Sequence, residues 1–286
     1  MKRWIALLLA LLLAFCCSGC RNGQEDSDFS DAIEADGGEL SALPPEVWQR
    51  EDPEEDKSPA ELPARQIVWG PGKETDEAGR PVACVRLQEK YGKYNAFFLL
   101  EQTEQICLTF DEGYENGYTA AILDTLRGKN VSAVFFVTMD YVKKEPELVE
   151  RMIQEGHQLG NHSTHHPNMT GLSEEQARQE VLELHEYVQE TFGYRMTLFR
   201  APEGAISERS MAIVKSLGYQ NVLWSFAYRD WSPQQQPEAA DALKKLTERC
   251  HPGAIYLLHA VSKTNAQILG DFIDAVRSRG YEFRAL

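Results

Sequence analysis

The sequence predicts an α/β fold, a single distorted (β/α) barrel of seven or eight strands. Three observations predict it. Strand-like and helix-like stretches alternate about seven times between Gln105 and Leu286, an order that builds a parallel sheet. No Gly-x-Gly-x-x-Gly turn and no phosphate-cradling Lys loop interrupts them, so a dinucleotide-binding sheet loses ground to a barrel. Titratable residues follow one predicted strand after another, and in a parallel barrel the C-terminal strand ends share one face.

Each element follows from a local pattern. Arg86 to Phe98 is a short mixed lead-in, helical near Gln88 to Tyr91. Gln105 to Phe110 is an apolar run that ends in Asp111, Glu112 and Gly113, which reads as a buried strand and its exit. Tyr118 to Arg127 predicts a helix, and Ser132 to Thr138 (SAVFFVT) the second strand. Glu145 to Gln154 is a helix closed by Gly156, followed by a short strand over His157 to Asn161. Ser173 and Gln176 make a capping box for a helix that runs to Phe192 and ends at Gly193. Thr197 to Arg200, Asn221 to Phe226, Ala254 to His259 and Glu282 to Leu286 are the remaining strands. Glu208 to Leu217, Glu238 to Arg249 and Asn265 to Arg279 are the remaining helices.

The 286 residues carry a formal net charge of −15, distributed unevenly. Arg21 to Arg65 hold fourteen Asp/Glu against four Lys/Arg. High charge and low hydrophobicity make residues 21–65 an acidic, disordered tether. The rest is also acidic, which argues against a nucleic-acid partner held by a basic patch. Residues 1–20 read as an export signal. Lys2 and Arg3 precede an apolar stretch, Trp4 to Phe15, that is short for a membrane span. Ser18-Gly19-Cys20 resembles a bacterial lipobox, with Cys20 as the lipidated residue, although Cys17 stands where Leu is usual. An ordinary cleaved signal and an uncleaved anchor are the alternatives. Beyond Cys20 only Cys84, Cys107 and Cys250 remain, which is no disulfide framework. Cys107 reads as a small buried hydrophobe, and pairing of Cys84 with Cys250 is left open. The globular part is predicted over residues 66–286, with the chemistry in 105–286.

That chemistry lies at the strand ends. Asp111 and Glu112 close the first strand. His162-Ser163-Thr164-His165-His166-Pro167 follows the third, and Arg200-Ala201-Pro202-Glu203-Gly204 the fourth. Asp230-Trp231 follows the fifth, and His259 ends the sixth. His162 and His166 have metal-ligand spacing, and two imidazoles plus a carboxylate leave a position on a divalent ion for water or substrate. The competing reading is a pair of surface histidines and a loop of surface acids. His165 is read as pointing elsewhere, and His157, His185 and His251 as structural. A carboxylate base, a two-His metal site, an Arg and a separate His together suit metal-assisted hydrolysis. No Gly-x-Ser-x-Gly elbow supports a serine-acyl route.

With these residues in view, the chain from about Gln66 to Leu286 resembles the polysaccharide deacetylases of the NodB-homology type, carbohydrate esterase family 4. The family's five motifs appear in order: TFDEG (Thr109 to Gly113), HSTHHP (His162 to Pro167), RAPEG (Arg200 to Gly204), RDW (Arg229 to Trp231) and LLH (Leu257 to His259). The longer runs TFDEGYENGYT, GNHSTHHPN, AYRDW and HPGAIYLLHAVSKTNA resemble one branch, the sporulation muramic-acid de-N-acetylases that prepare the δ-lactam of spore cortex. The resemblance implies a general base at Asp111, oriented by Arg200, and a general acid at His259, held by Asp230. It implies a divalent metal, commonly zinc, on His162 and His166. It places the backbone N–H near Glu203 at the oxyanion, and Trp231 and Leu257 around the acetyl methyl. Three positions depart from the family. Glu112 stands where the family's third metal ligand is usually Asp, so its ligation is in question. Ala227 replaces an Asp found in many members. Glu203 replaces a Tyr or Arg and is expected to point outward.

The expected function is therefore metal-dependent removal of acetyl from N-acetylmuramic acid in peptidoglycan glycan strands. The expected protein is a monomer anchored by lipid to the outer face of a bacterial cell membrane. The alternatives are N-acetylglucosamine deacetylation in peptidoglycan or chitin-like oligomers, and a non-catalytic glycan-binding lipoprotein.

Overall fold

The computed structural model describes residues 57–101 and 104–286. The export signal, Cys20 and the acidic segment through residue 56 lie outside the described residues. The sheet is organised around β2 (Gln105–Glu112), buried along all but its first residue. Its neighbours are β3 (Val134–Val137) on one side and β7 (Ile255–His259) on the other. Beyond β3 come β4 (Gln158–Asn161), β5 (Leu198–Phe199), β6 (Gln220–Val222) and β1 (Ala96–Phe97). The last strand, β8 (Glu282–Phe283), pairs with the start of β2. All these pairings are parallel, as the alternation of strands and helices requires.

The sheet curls into the predicted distorted barrel. Past β6 the chain bends and returns to the free side of β7, where Phe226 bridges Tyr256 and the Leu257 N–H donates to the Phe226 carbonyl at 2.9 Å. The strand expected over Asn221 to Phe226 is thus split. Its middle is bent because the Val222 and Leu223 carbonyls accept hydrogen bonds from the Arg200 guanidinium at 3.1 and 3.2 Å. Those carbonyls turn to the buried cation, while the Leu223 N–H still donates to the Phe97 carbonyl of β1 at 2.8 Å.

Helices cover the outer face: α1 (Val82–Tyr91), α2 (Thr119–Gly128), α3 (Met139–Lys144), α4 (Pro146–Gln154), α5 (Glu174–Phe192), α6 (Glu208–Ser216), α7 (Ala239–Glu248) and α8 (Lys263–Ser278). The capping box at Ser173 and Gln176 forms, and Gly193 ends α5 with φ +65°. Side chains alternate across β2. Phe110 lies on the helix side, stacked on Phe135 at 5.2 Å between centroids. Thr109 and Asp111 face the barrel interior, where Arg200 meets both. Gly160 on β4 is required by the interior packing: a Cβ there would come within 2.2 Å of the Phe136 ring. That ring in turn lies 4.2 Å from the Arg200 guanidinium carbon.

Three expectations are corrected, on where the packed chain begins, on the lead-in helix and on α3, and the cysteine pairing left open is answered. The packed chain begins before Gln66: Leu62 is buried, and Arg209 donates to the Leu62 and Ala60 carbonyls. A single apolar residue in an acidic segment was too weak a signal of docking. The lead-in helix runs over all of α1, and α3 forms where no helix was expected, nucleated by Thr138 as its N-cap. Cys84, Cys107 and Cys250 are free thiols, so Cys84 and Cys250 do not pair.

Candidate active site

The site begins with strand register. Thr109 of β2 lies opposite Leu257 of β7, and Asp111 opposite His259. Four side chains therefore share one inward face, and the candidate base and acid are cross-strand neighbours. Asp111 is 8% exposed and its Oδ1 accepts from Arg200 Nη1 at 2.7 Å. Arg200 is fully buried, yet every nitrogen of its fork is used. Nη1 also donates to Thr109 Oγ1 at 2.7 Å, while Nε and Nη2 serve the two carbonyls beyond β6. Such bonding and pairing is what makes a buried cation tolerable. Burial pushes the Asp111 carboxyl up, but the Arg200 charge, then His162 and His259, outweigh it and hold it below its usual range. Asp111 is an ionised carboxylate with Oδ1 tied down.

His259 is the opposite case. Its Nδ1 meets Asp230 Oδ1 at 2.7 Å and its backbone N–H donates to Asp230 Oδ2 at 2.9 Å. Burial lowers its pKa, but the Asp230 charge and hydrogen bond outweigh that, and the imidazolium persists above the ordinary histidine range. A depressed carboxylate beside a raised imidazole is the pairing that acid–base catalysis uses. The Trp231 ring lies 5.8 Å from His259, and Leu257 is buried beneath it on the same face.

The histidine loop follows β4. Asn161 Oδ1 accepts from the Ser163 N–H, and its amide donates to the Val181 carbonyl on α5. Thr164 donates to the Glu180 carbonyl through both N–H and Oγ1. His165 turns outward to Glu180, with contacts at 2.8 Å from both its N–H and its Nδ1. Pinned this way, the loop carries two non-glycine residues at positive φ, Ser163 (+69°) and His166 (+57°), a cost that surrounding contacts must hold in place. It brings the His162 and His166 rings to 4.8 Å.

These residues were tested for fit to the divalent metal. His162 Nδ1 lies 2.9 Å from the Arg200 carbonyl, which only accepts, so Nδ1 carries the proton and Nε2 presents a lone pair. Burial pushes this imidazole down to about 4, which keeps it neutral. Nε2 then faces Asp111 Oδ2 at 3.5 Å, acceptor against acceptor. The neutral His162 imidazole, with the His166 ring beside it, fits a divalent cation held by both residues.

Glu112 does not join them, which bears on the question the sequence left open at that position. Strand alternation turns it to the helix side of β2, where its charge is felt by Tyr141 of α3 and its electrostatic neighbours include Glu115. It is fully buried, and neither carboxylate oxygen has a hydrogen-bond partner. Among the described residues no three His, Cys, Asp or Glu converge as a ligand set. Burial, then Glu115 and Asp111, push its carboxyl well above the usual range. A raised folded pKa means that stability is highest below the unfolded value and is lost as pH rises toward the folded one. Glu112→Met is therefore expected to stabilise the protein by about 1–3 kcal/mol at neutral pH. The gain should shrink on acidification, and metal affinity should be unchanged. Thermal melts across pH and calorimetric metal titration check both.

The Arg200–Gly204 motif ends in a 3-10 turn, Pro202–Gly204. Glu203 sits there at φ +58° and is exposed, so it points outward as expected. Trp69 Nε1 donates to the Gly204 carbonyl at 2.8 Å, and Ile67 bridges Ile206, so the entry segment braces this turn. Sequence reasoning missed Thr109, Glu180, Trp69, Tyr228 and Asn265. Tyr228 and Asn265 lie within the AYRDW and YLLHAVSKTNA runs that carried the branch resemblance. Thr109 opens the TFDEG motif but was given no role, and Glu180 and Trp69 gave no signal of their own.

Known proteins resemble this chain. The polysaccharide deacetylase profile matches residues 101–222. The peptidoglycan-N-acetylmuramic acid deacetylase PdaA of Bacillus subtilis is 41% identical over 227 residues, 79% of this chain and 86% of that protein. A solved structure of PdaA, described as a family 4 carbohydrate esterase, matches with a TM-score of 0.74 over 78% of this chain and 96% of that one. The peptidoglycan-N-acetylglucosamine deacetylase PgdA of Listeria monocytogenes is 36% identical over 180 residues, 63% of this chain and 37% of that protein. The chain belongs to the polysaccharide deacetylase family, carbohydrate esterase family 4, and is an enzyme of that family.

Proposed function

We propose that the protein is a metal-dependent de-N-acetylase of peptidoglycan glycan strands, acting on N-acetylmuramic acid in muramic δ-lactam formation. The observation that carries the chemistry is the Asp111–His259 pair, set side by side on β2 and β7 with opposite protonation preferences. The likeness to PdaA over most of both chains supports the sugar. A divalent ion on His162 and His166, with zinc the usual choice, would polarise the acetyl carbonyl and make water more acidic. Asp111 Oδ2, the oxygen that Arg200 leaves free, takes the proton of the attacking water. Arg200 holds the carboxylate in place through Oδ1. The backbone N–H of Glu203 faces the developing oxyanion. His259 Nε2 gives its proton to the leaving nitrogen while Nδ1 stays on Asp230. Leu257 and Trp231 enclose the acetyl methyl. The freed amine can then attack the lactyl carboxyl to close the lactam.

The N-terminal segment would export the enzyme and, through a lipid on Cys20, hold it at the outer face of the membrane beside its substrate. The likeness to PgdA favours a second reading, deacetylation of N-acetylglucosamine. Acetate release distinguishes the two. Peptide-free glycan strands should release acetate, chitin oligomers should not, and a chelator should stop the reaction. The reverse substrate preference would favour the glucosamine reading.

A further inference from the structure

Asp230 is fully buried, and one further side chain completes its bonding. Asn265, the third residue of α8, donates from Nδ2 to Asp230 Oδ2 at 2.6 Å and to the His259 carbonyl at 3.1 Å. Its Oδ1 accepts from the Tyr228 hydroxyl, and its backbone N–H donates to the cap Ser262 Oγ at 3.1 Å. We propose that Asn265 is a positioning residue of the deacetylation, fixing Asp230 so that His259 is held as the proton donor; this rests on the acid role assigned to His259 above.

The argument is one of donors and acceptors. An amide can present either its oxygen or its NH2 to Asp230, and only the NH2 is attractive to a carboxylate. Tyr228 decides which. Burial raises its phenol, so the hydroxyl keeps its proton. It donates to Oδ1 and turns Nδ2 toward Asp230. Both amide hydrogens are then used, one on the carboxylate and one on the His259 backbone. The same side chain thus grips the orienting acid and the residue it orients. Gln236 ties the surroundings together. Its Nε2 donates to the Asp230 carbonyl at 2.9 Å, and its Oε1 accepts from Ser262 Oγ at 2.6 Å. Losing the Asn265 amide would leave Oδ2 with the His259 N–H alone. A buried carboxylate with fewer donors is less favoured in its charged form. His259 would lose part of the field that keeps it protonated. The other charges acting on His259, Asp111 on the neighbouring strand β2 and Arg200, are untouched by the change.

The test uses the full chain and two substitutions. Asn265→Leu removes the amide at similar volume, and Tyr228→Phe removes only the hydroxyl that orients it. His259 is titrated by NMR without substrate, its signal assigned with His259→Gln, and pH–rate profiles are recorded with glycan strands. Asn265→Leu is expected to lower the His259 pKa and move the alkaline limb of kcat to lower pH. It should reduce kcat about 10–100-fold with little change in KM, as for lost partners that orient a histidine. Tyr228→Phe should shift both readouts the same way by less. An unchanged His259 pKa in folded Asn265→Leu overturns the proposal. Should that variant not fold, an unchanged pKa in Tyr228→Phe overturns it instead. If wild type releases no acetate from any glycan while the His259 pKa still falls in the variants, the acid role fails and the positioning stands.

Discussion

Asp111→Asn is expected to lower kcat about 10²–10⁴-fold, the range typical of a lost general base. The amide oxygen can still accept from Arg200, whose other bonds to Thr109 and to the Val222 and Leu223 carbonyls are unaffected. The fold should therefore persist, as circular dichroism would show, while acetate release collapses. What is lost is the free Oδ2 oxygen and its ability to take a proton. In the wild type the rate requires Asp111 ionised and His259 protonated. Asp111 is held below its usual range, so the acidic limb of the pH profile should lie below ordinary carboxylate values. His259 is held above its usual range, so the alkaline limb should lie above ordinary imidazole values. Glycan binding without turnover should survive in the variant, because the residues around the acetyl group are untouched.

The second large effect is on stability. Arg200→Met is expected to cost about 3–5 kcal/mol, the range for removing one partner of a buried ion pair. Four groups lose their donor at once: the Asp111 carboxylate, Thr109 Oγ1 and two main-chain carbonyls. Thermal unfolding should fall by roughly 2–4 °C per kcal/mol for a domain of this size. The pH dependence carries a sign. Asp111 has a depressed folded pKa, so its stabilisation is present above the unfolded value and lost as pH falls through the folded one. Removing Arg200 removes that depression. The gap between wild type and variant should be widest at neutral pH and narrow on acidification. Arg200→Lys should rescue little, since an ammonium cannot reach two carbonyls, a hydroxyl and a carboxylate from one fork.

Much of the site was legible because its chemistry sits at strand ends. Asp111, His162, His166, Arg200, Asp230 and His259 each lie at or just after the end of a predicted strand, and a parallel sheet gathers such ends without further information. What escaped was short or distant. The β1 pair Ala96 and Phe97 is too brief to show a period. The bend after Val222 exists to serve Arg200, a partner set by tertiary packing. Glu180 pins the histidine loop from α5, and nothing local in the sequence reports that meeting. Glu112 is the instructive case. Two adjacent residues of one strand face opposite ways, so Asp111 in the barrel places Glu112 outside it. The family resemblance left ligation at Glu112 in question, and the period-two rule turns that side chain away from the histidines.

The most direct test of the account is mass spectrometry of peptide-free peptidoglycan glycan strands treated with metal-loaded enzyme, wild type beside Asp111→Asn. The account predicts loss of acetyl from muramic acid residues with wild type, followed by loss of water as the lactam closes, and an intact acetyl content with the variant. Equal acetyl content in both samples, on every glycan offered, would contradict it.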